Sequence, residues 1–91
     1  MRIVFDEPKR VANLDKHGLD MADFQEGFDF ATAIEFEARA SRTGRSRFSL
    51  IGYLNGALVV VAIVSPLGSE ALSLVSLRPA KITERKRYGF F

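Results

Sequence analysis

The run Ala57–Val64 constrains this chain more than any other stretch: eight apolar residues in a row, four of them valine. Valine and isoleucine are stiff at χ1 and suit a pleated surface better than a helix. A strand with one face in water alternates apolar and polar residues. This run does not alternate, so it predicts a strand covered on both faces. It is far shorter than the ~20 apolar residues of a membrane-spanning helix. The reading is a central strand with its sequence neighbours paired on either side.

The flanking segments supply those neighbours. Arg47–Tyr53 alternates, with Phe48, Leu50 and Gly52 on one side and Arg47, Ser49, Ile51 and Tyr53 on the other. Asn55-Gly56 is a strong hairpin signal that turns this strand into the next. Ser65–Ser69 reads as another turn and Glu70–Arg78 as the last strand, stopped by Pro79. Leu72 and Leu74 fall on one face of that strand and Val75 and Leu77 on the other, which suggests a bulge midway. Ala31–Glu37 alternates weakly and reads as a strand, and Ala38–Arg45 as a polar connection. Arg2–Phe5 reads as an edge strand.

Helix signals complete the order. Asp6-Glu7-Pro8 opens a helix, with Asp6 as its cap, that runs to His17 and stops at Gly18. Val11 and Leu14 mark its inner side, while Lys9, Asn13, Lys16 and His17 form a polar stripe, read first as a solvated face. Asp20 caps a second short helix whose Met21, Phe24 and Phe28 point inward. Thr83 caps a last one, Glu84–Tyr88, after which Phe90 and Phe91 dock on the sheet. The order β-α-α-β-β-β-β-α predicts a single α+β domain: an antiparallel meander sheet with two N-terminal helices and a short C-terminal helix.

Charge is unevenly placed. Residues 1–38 carry four cations and nine acids, a net of −5, and residues 39–91 carry nine cations and two acids, a net of +7. A basic half suits a polyanion such as nucleic acid, and equally a solvated Arg-rich surface. There is no Cys, so neither a disulfide nor a Cys-ligated metal is expected. The N-terminus lacks the pattern of a secretion signal. A soluble cytoplasmic protein, with no membrane partner, is the expectation.

Residue types exclude several chemistries. There is no Gly-rich phosphate loop and no Cys nucleophile, and a single His precludes a His-rich metal site; composition leaves a Ser-His-Asp triad open, but no nucleophile-elbow motif is present. No cofactor or metal is expected. A cationic surface with one His, a late Glu and two Tyr can cleave a phosphodiester without a metal. Arg and Lys stabilise charge developing on phosphate, and His, Glu or Tyr moves protons.

Three segments carry a resemblance. Phe5-Asp6-x-x-Lys9-x-x-x-Asn13-x-x-Lys16-His17-Gly18, then Gly44-x-x-Arg47-Phe48 with the valine-rich strand, and Ser76-x-Arg78-x-Ala80-x-x-x-Glu84-Arg85-x-x-Tyr88 resemble, in order, the signatures of the BrnT family of bacterial toxins. The resemblance implies a fold like that of RelE-type ribonucleases and RNA cleavage that arrests translation. It also implies a BrnA-like antitoxin partner, through which alone promoter DNA is contacted. Ser73 stands where the family pattern often has Arg. A non-catalytic member that binds its antitoxin as a co-repressor is therefore the alternative.

On this reading Arg47 and Arg78 bind the scissile phosphate, because a planar guanidinium holds two phosphate oxygens at once. Glu84 and His17 are the proton-transfer candidates, and the other reading of His17 is that it merely helps end its helix. Lys9, Lys16, Arg42, Arg45, Arg85 and Tyr88 are the expected RNA contacts. In a meander Arg47 and Arg78 lie on parallel strands with the central strand between them, so they need not be close.

Overall fold

The computed structural model describes residues 2–40 and 44–91. The valine-rich strand β4 (Leu58–Leu67) lies at the centre of a five-stranded sheet. On one side it pairs with β3 (Ser46–Leu54), which pairs in turn with β2 (Ile34–Ala40); on the other it pairs with β5 (Ala71–Pro79), and β1 (Arg2–Val4) forms the edge beyond. Strands β2 to β5 are the expected antiparallel meander.

The sheet as a whole is mixed, which corrects the purely antiparallel expectation. Strand β1 runs parallel to β5, with Arg2 beside Ala71 and Ile3 beside Leu72. A hairpin forces antiparallel pairing, but nothing local links these two strands, so packing decides the direction. Ile3 is buried with Leu72 in the main core.

Both faces of β4 are covered. Val60, Ala62 and Val64 join Leu50, Leu54, Leu72, Leu74 and Leu77 under Met21, Phe24 and Phe28. On the opposite face Val59 and Val61 join Ile51 under Phe90, with Phe36, Tyr53, Ala80 and Tyr88 at the margin. Leu77 thus shares a face with Leu72 and Leu74, contrary to the simple alternation. The bulge explains it: Ile63 pairs with Ser76 but Val64 with Leu74, so Val75 is the extra residue and the pleat resets.

Helix α1 (Glu7–His17) starts and stops where the caps predict, with Gly18 left-handed at φ 70°. Asp6 occupies the cap position, but its side chain makes no capping bond. The inward face is a correction: Val11 and Leu14 are exposed, at 56% and 42%, whereas Asn13 is buried. The second helix divides into a 3-10 turn, Met21–Asp23, and one α turn, α2 (Phe24–Gly27). Asp20 caps it by accepting the Ala22 N–H. Phe28 packs so closely on Gly52 that a Cβ there would stand 2.8 Å from its ring, which requires glycine.

Three boundaries shift. Ala31 and Thr32 lie in a turn held by the Asp29 carboxylate, so β2 begins at Ile34 and continues to Ala40. Strand β4 continues through Pro66, tolerated beyond the last residue paired with β3, and the turn moves to 68–70. Helix α3 (Ile82–Tyr88) starts before Thr83: the Lys81 N–H is met by Glu84 Oε1 at 2.9 Å, so the acid closes the end rather than the threonine. Phe90 is buried and Phe91 exposed, so only the first of the pair docks. Among the described residues no helix is long and apolar enough to cross a membrane.

Candidate functional site

Asn13 fastens α1 to the sheet. Its Nδ2 donates to the Leu77 carbonyl at 2.8 Å and to the Leu19 carbonyl at 3.0 Å, and its Oδ1 accepts the Leu77 N–H at 3.1 Å. The side-chain amide thus pairs with β5 beyond the reach of β1, which ends opposite Ser73. Peptide-like donor and acceptor groups are what an open strand edge requires.

This docking brings the rest of the polar stripe against β5. Lys9, Ala12, Asn13, Lys16 and His17 line one hollow with Val75 and Ser76. His17 is both the last residue of α1 and a wall of this hollow. Ser76 and Arg78 pair with Ile63 and Val61 across β4, so both project from the face that α3 covers at its far end.

Arg78 is locked by Glu84. The guanidinium makes a two-pronged contact, Nη1 to Oε1 at 2.7 Å and Nη2 to Oε2 at 2.8 Å. The side chains are 26% and 19% exposed, so water screens the pair only partly. The bonds from Arg78 and the Lys81 N–H hold the Glu84 carboxyl down at about 2, against the opposing effect of burial. Glu84 in turn raises the Arg78 pKa. Both Glu84 oxygens are occupied, while Arg78 keeps further N–H donors in its fork.

Arg47 is not brought to Arg78. The two share a face, but Arg78 lies level with Val61 and Ile51, four residues along β3 from Arg47. That is roughly 13 Å along the strand and roughly 10 Å across it. Arg45 is exposed at the entry to β3, and Lys9 and Lys16 are exposed on α1. Arg42 lies outside the described residues.

Tyr88 packs on Phe36 of β2, with ring centres 4.8 Å apart. Together with Glu37, Thr83, Glu84 and Arg87 they line a second hollow, between β2 and α3. Arg85 sits elsewhere: its Nε–H donates to the Phe90 carbonyl at 3.2 Å and helps fasten the tail. The sequence reading missed Asn13 as a fastener, Ser76 as a wall, and Glu37 altogether. The one signal for Asn13 was an uncharged amide among the cations of the stripe. Glu37 carried none, because its left-handed backbone occurs without glycine.

Residues 5–84 match the family model described as "Ribonuclease toxin, BrnT, of type II toxin-antitoxin system". The 1.1 Å crystal structure of the Brucella abortus ribonuclease toxin BrnT is 43% identical and superposes with a TM-score of 0.72, over 89% of this chain and 97% of that one. No match is found among curated protein sequences. The family model spans α1, strands β2 to β5 and the start of α3, so the hollow on β5 and the Arg78–Glu84 pair lie within it: this chain belongs to the BrnT family of ribonuclease toxins of type II toxin–antitoxin systems.

Proposed function

We propose that this protein cleaves RNA without a bound metal or cofactor and so arrests translation in the cytoplasm. A BrnA-like antitoxin neutralises it and supplies the contact with promoter DNA. The fold is read as kin to RelE-type ribonucleases. The observation that carries the proposal is the grouping on β5: Lys9, Lys16 and His17 converge on Ser76, and Arg78 projects from the same strand two residues on.

The chemistry assigned to the site is attack of a ribose 2′-oxygen on the adjacent phosphorus. A base takes the 2′ proton, the 5′-oxygen leaves and gains a proton, and a cyclic phosphate remains. Arg78 holds the non-bridging oxygens, where charge builds. Lys9 and Lys16 draw in the backbone, and Arg45 and Arg47 extend the cationic track at the start of β3. A general base works best with a pKa near the working pH. Glu84, held near 2 with both oxygens engaged, suits the role of orienting Arg78. Proton transfer then falls to His17, whose two ring nitrogens can accept and donate a proton.

Purified protein incubated with RNA, beside induced expression with and without the adjacent gene product, tests this. Cleavage, growth arrest and rescue are expected, and Arg78→Ala should slow cleavage by roughly 10²–10³-fold. Intact RNA and unimpaired growth, with a stable complex with the neighbouring protein, would instead establish the co-repressor reading. Ser73, on β5 where the family pattern often has Arg, favours that second reading.

A further inference from the structure

Helix α3 divides its residues between two hollows. Thr83, Glu84, Arg87 and Tyr88 line the one toward β2. Ile82, Arg85 and Lys86, spaced i, i+3 and i+4 on one stripe of the helix, line another with Phe90 and Phe91. That hollow holds about 220 Å³. Pockets that enclose a whole small ligand run to ~300–1,000 Å³, so this one suits a side chain instead.

Its walls are mostly apolar and face water. Ile82 is 69% exposed and Phe91 84%, and neither belongs to a core cluster. Phe90, buried in the smaller core, closes the hollow from below. Adjoining exposed apolar groups rimmed by charge mark interaction surfaces. The rim here is cationic. Lys86 is exposed and has no acidic partner among the described residues. Arg85 donates to the Phe90 carbonyl, a neutral group, so its charge is uncompensated by that bond. Glu84, the one acid of α3, is engaged with Arg78.

We propose that this hollow anchors the antitoxin, through a segment that sets a large apolar side chain among acidic residues. The inference rests on membership of a type II toxin–antitoxin family, which implies that partner, and adds where it is held. The apolar side chain packs on Ile82, Phe90 and Phe91, and the acids meet Lys86 and Arg85. Charge decides among the occupants. A second copy joined by the same patch would set these cations against their own equivalents, because a twofold contact uses one surface twice. Single-stranded RNA is held by polar contacts to base edges, and an apolar wall offers few. The anchor shares no lining residue with the hollow on β5, so docking and cleavage are separable by mutation.

The native chain, Ile82→Asp and Lys86→Glu are each titrated with the purified product of the adjacent gene, and each is assayed alone for RNA cleavage. Both residues are exposed, so both variants should fold, which thermal melting checks. Ile82→Asp should weaken the complex at least about thirtyfold, as loss of a central anchor does. Lys86→Glu should slow association and reduce its sensitivity to salt. Both should cleave RNA as the native chain does. If both variants bind like the native chain, the hollow is not the anchor, and the antitoxin partner stands. Absence of any complex with the native chain overturns the partner as well. Self-association of the native chain lost in Ile82→Asp, by sedimentation, overturns the proposal in favour of a second copy. Cleavage lost in both folded variants with the complex intact overturns it in favour of RNA. A complex weakened in Ile82→Asp, without cleavage by the native chain, upholds the anchor and overturns the ribonuclease.

Discussion

Asn13 and Leu77, 64 residues apart in sequence, are joined by a reciprocal pair of hydrogen bonds: the amide of one donates to and accepts from the backbone of the other, at 2.8 and 3.1 Å. This places α1 where Lys9, Lys16 and His17 reach Ser76. A buried backbone N–H left without its acceptor costs about 1–3 kcal/mol. Asn13→Ala, which strands the Leu77 N–H and two carbonyls, should lose about 2–3 kcal/mol in urea denaturation. Asn13→Asp should lose more, since a carboxylate cannot donate and would face two carbonyl oxygens. An Asp variant as stable as the native chain would show that the amide does not hold the helix.

The central strand predicts an asymmetry between neighbours. Val60 lies in the larger core and Val61 in the smaller, directly across from Arg78. Val60→Asp buries a charge among the apolar side chains of the larger core, at a cost of several kcal/mol, comparable with the stability of a small domain. Val61→Asp places the carboxylate within reach of a guanidinium. The first variant should be insoluble and the second folded with a lowered Tm. Equal behaviour of the two in expression and thermal melting would refute the assignment of faces.

The parts of the fold legible in the sequence are those with a local signal. Absence of alternation in Val59–Val64 meant two covered faces, and Asn55-Gly56 meant a hairpin, whose two residues do have φ of 54° and 70°. The parallel pairing of β1 with β5 has no such signal, because no turn links them. The orientation of α1 was misread for a physical reason. A helix docking on a sheet face buries an apolar stripe, but this one meets a strand edge and needs an amide, so Val11 and Leu14 stay outside. Within the site, Arg78 and Glu84 were legible as neighbours through the short link between them. Glu37 was not, since only long-range pairing creates its bulge.

That bulge can be tested by stability alone. A left-handed residue with a Cβ carries a cost on the order of 1–2 kcal/mol, and glycine removes it while adding freedom to the unfolded chain. Glu37→Gly should therefore raise Tm by about 2–5 °C, scaled from a net gain below 1 kcal/mol. A lower Tm by calorimetry would mean that the Glu37 carboxylate contributes more to the fold than its backbone costs.

Acid should weaken the fold through Glu84. Its carboxyl titrates at about 2 in the folded chain, against an ordinary value of 4.5. A depressed folded value stabilises fully above the unfolded value, and that contribution fades as pH falls from about 5 toward 2. Asp20 and Asp29 are also lowered and act in the same direction. The quantity to measure is thus the difference between the native chain and Glu84→Gln. Glu84→Gln should be less stable at pH 7, and the gap should close by about pH 2. A gap independent of pH would mean that the Arg78–Glu84 pair stabilises by packing rather than by charge.

The division of roles between Glu84 and His17 is settled by the pH dependence of cleavage. Glu84 engages both oxygens with Arg78 and the Lys81 N–H, so its loss should act by releasing the guanidinium. Glu84→Gln should then lower the rate at every pH, by about 10-fold or more, without altering the shape of the profile. Arg78→Lys should do the same, because an ammonium cannot make the two-pronged contact. His17→Ala should instead remove a limb of the profile, as expected for loss of the proton-transfer group. Each variant must melt as a folded protein for the comparison to hold. If Glu84→Gln abolished a limb and His17→Ala left the profile intact, the carboxylate would be the proton-transfer group and the imidazole only the end of its helix.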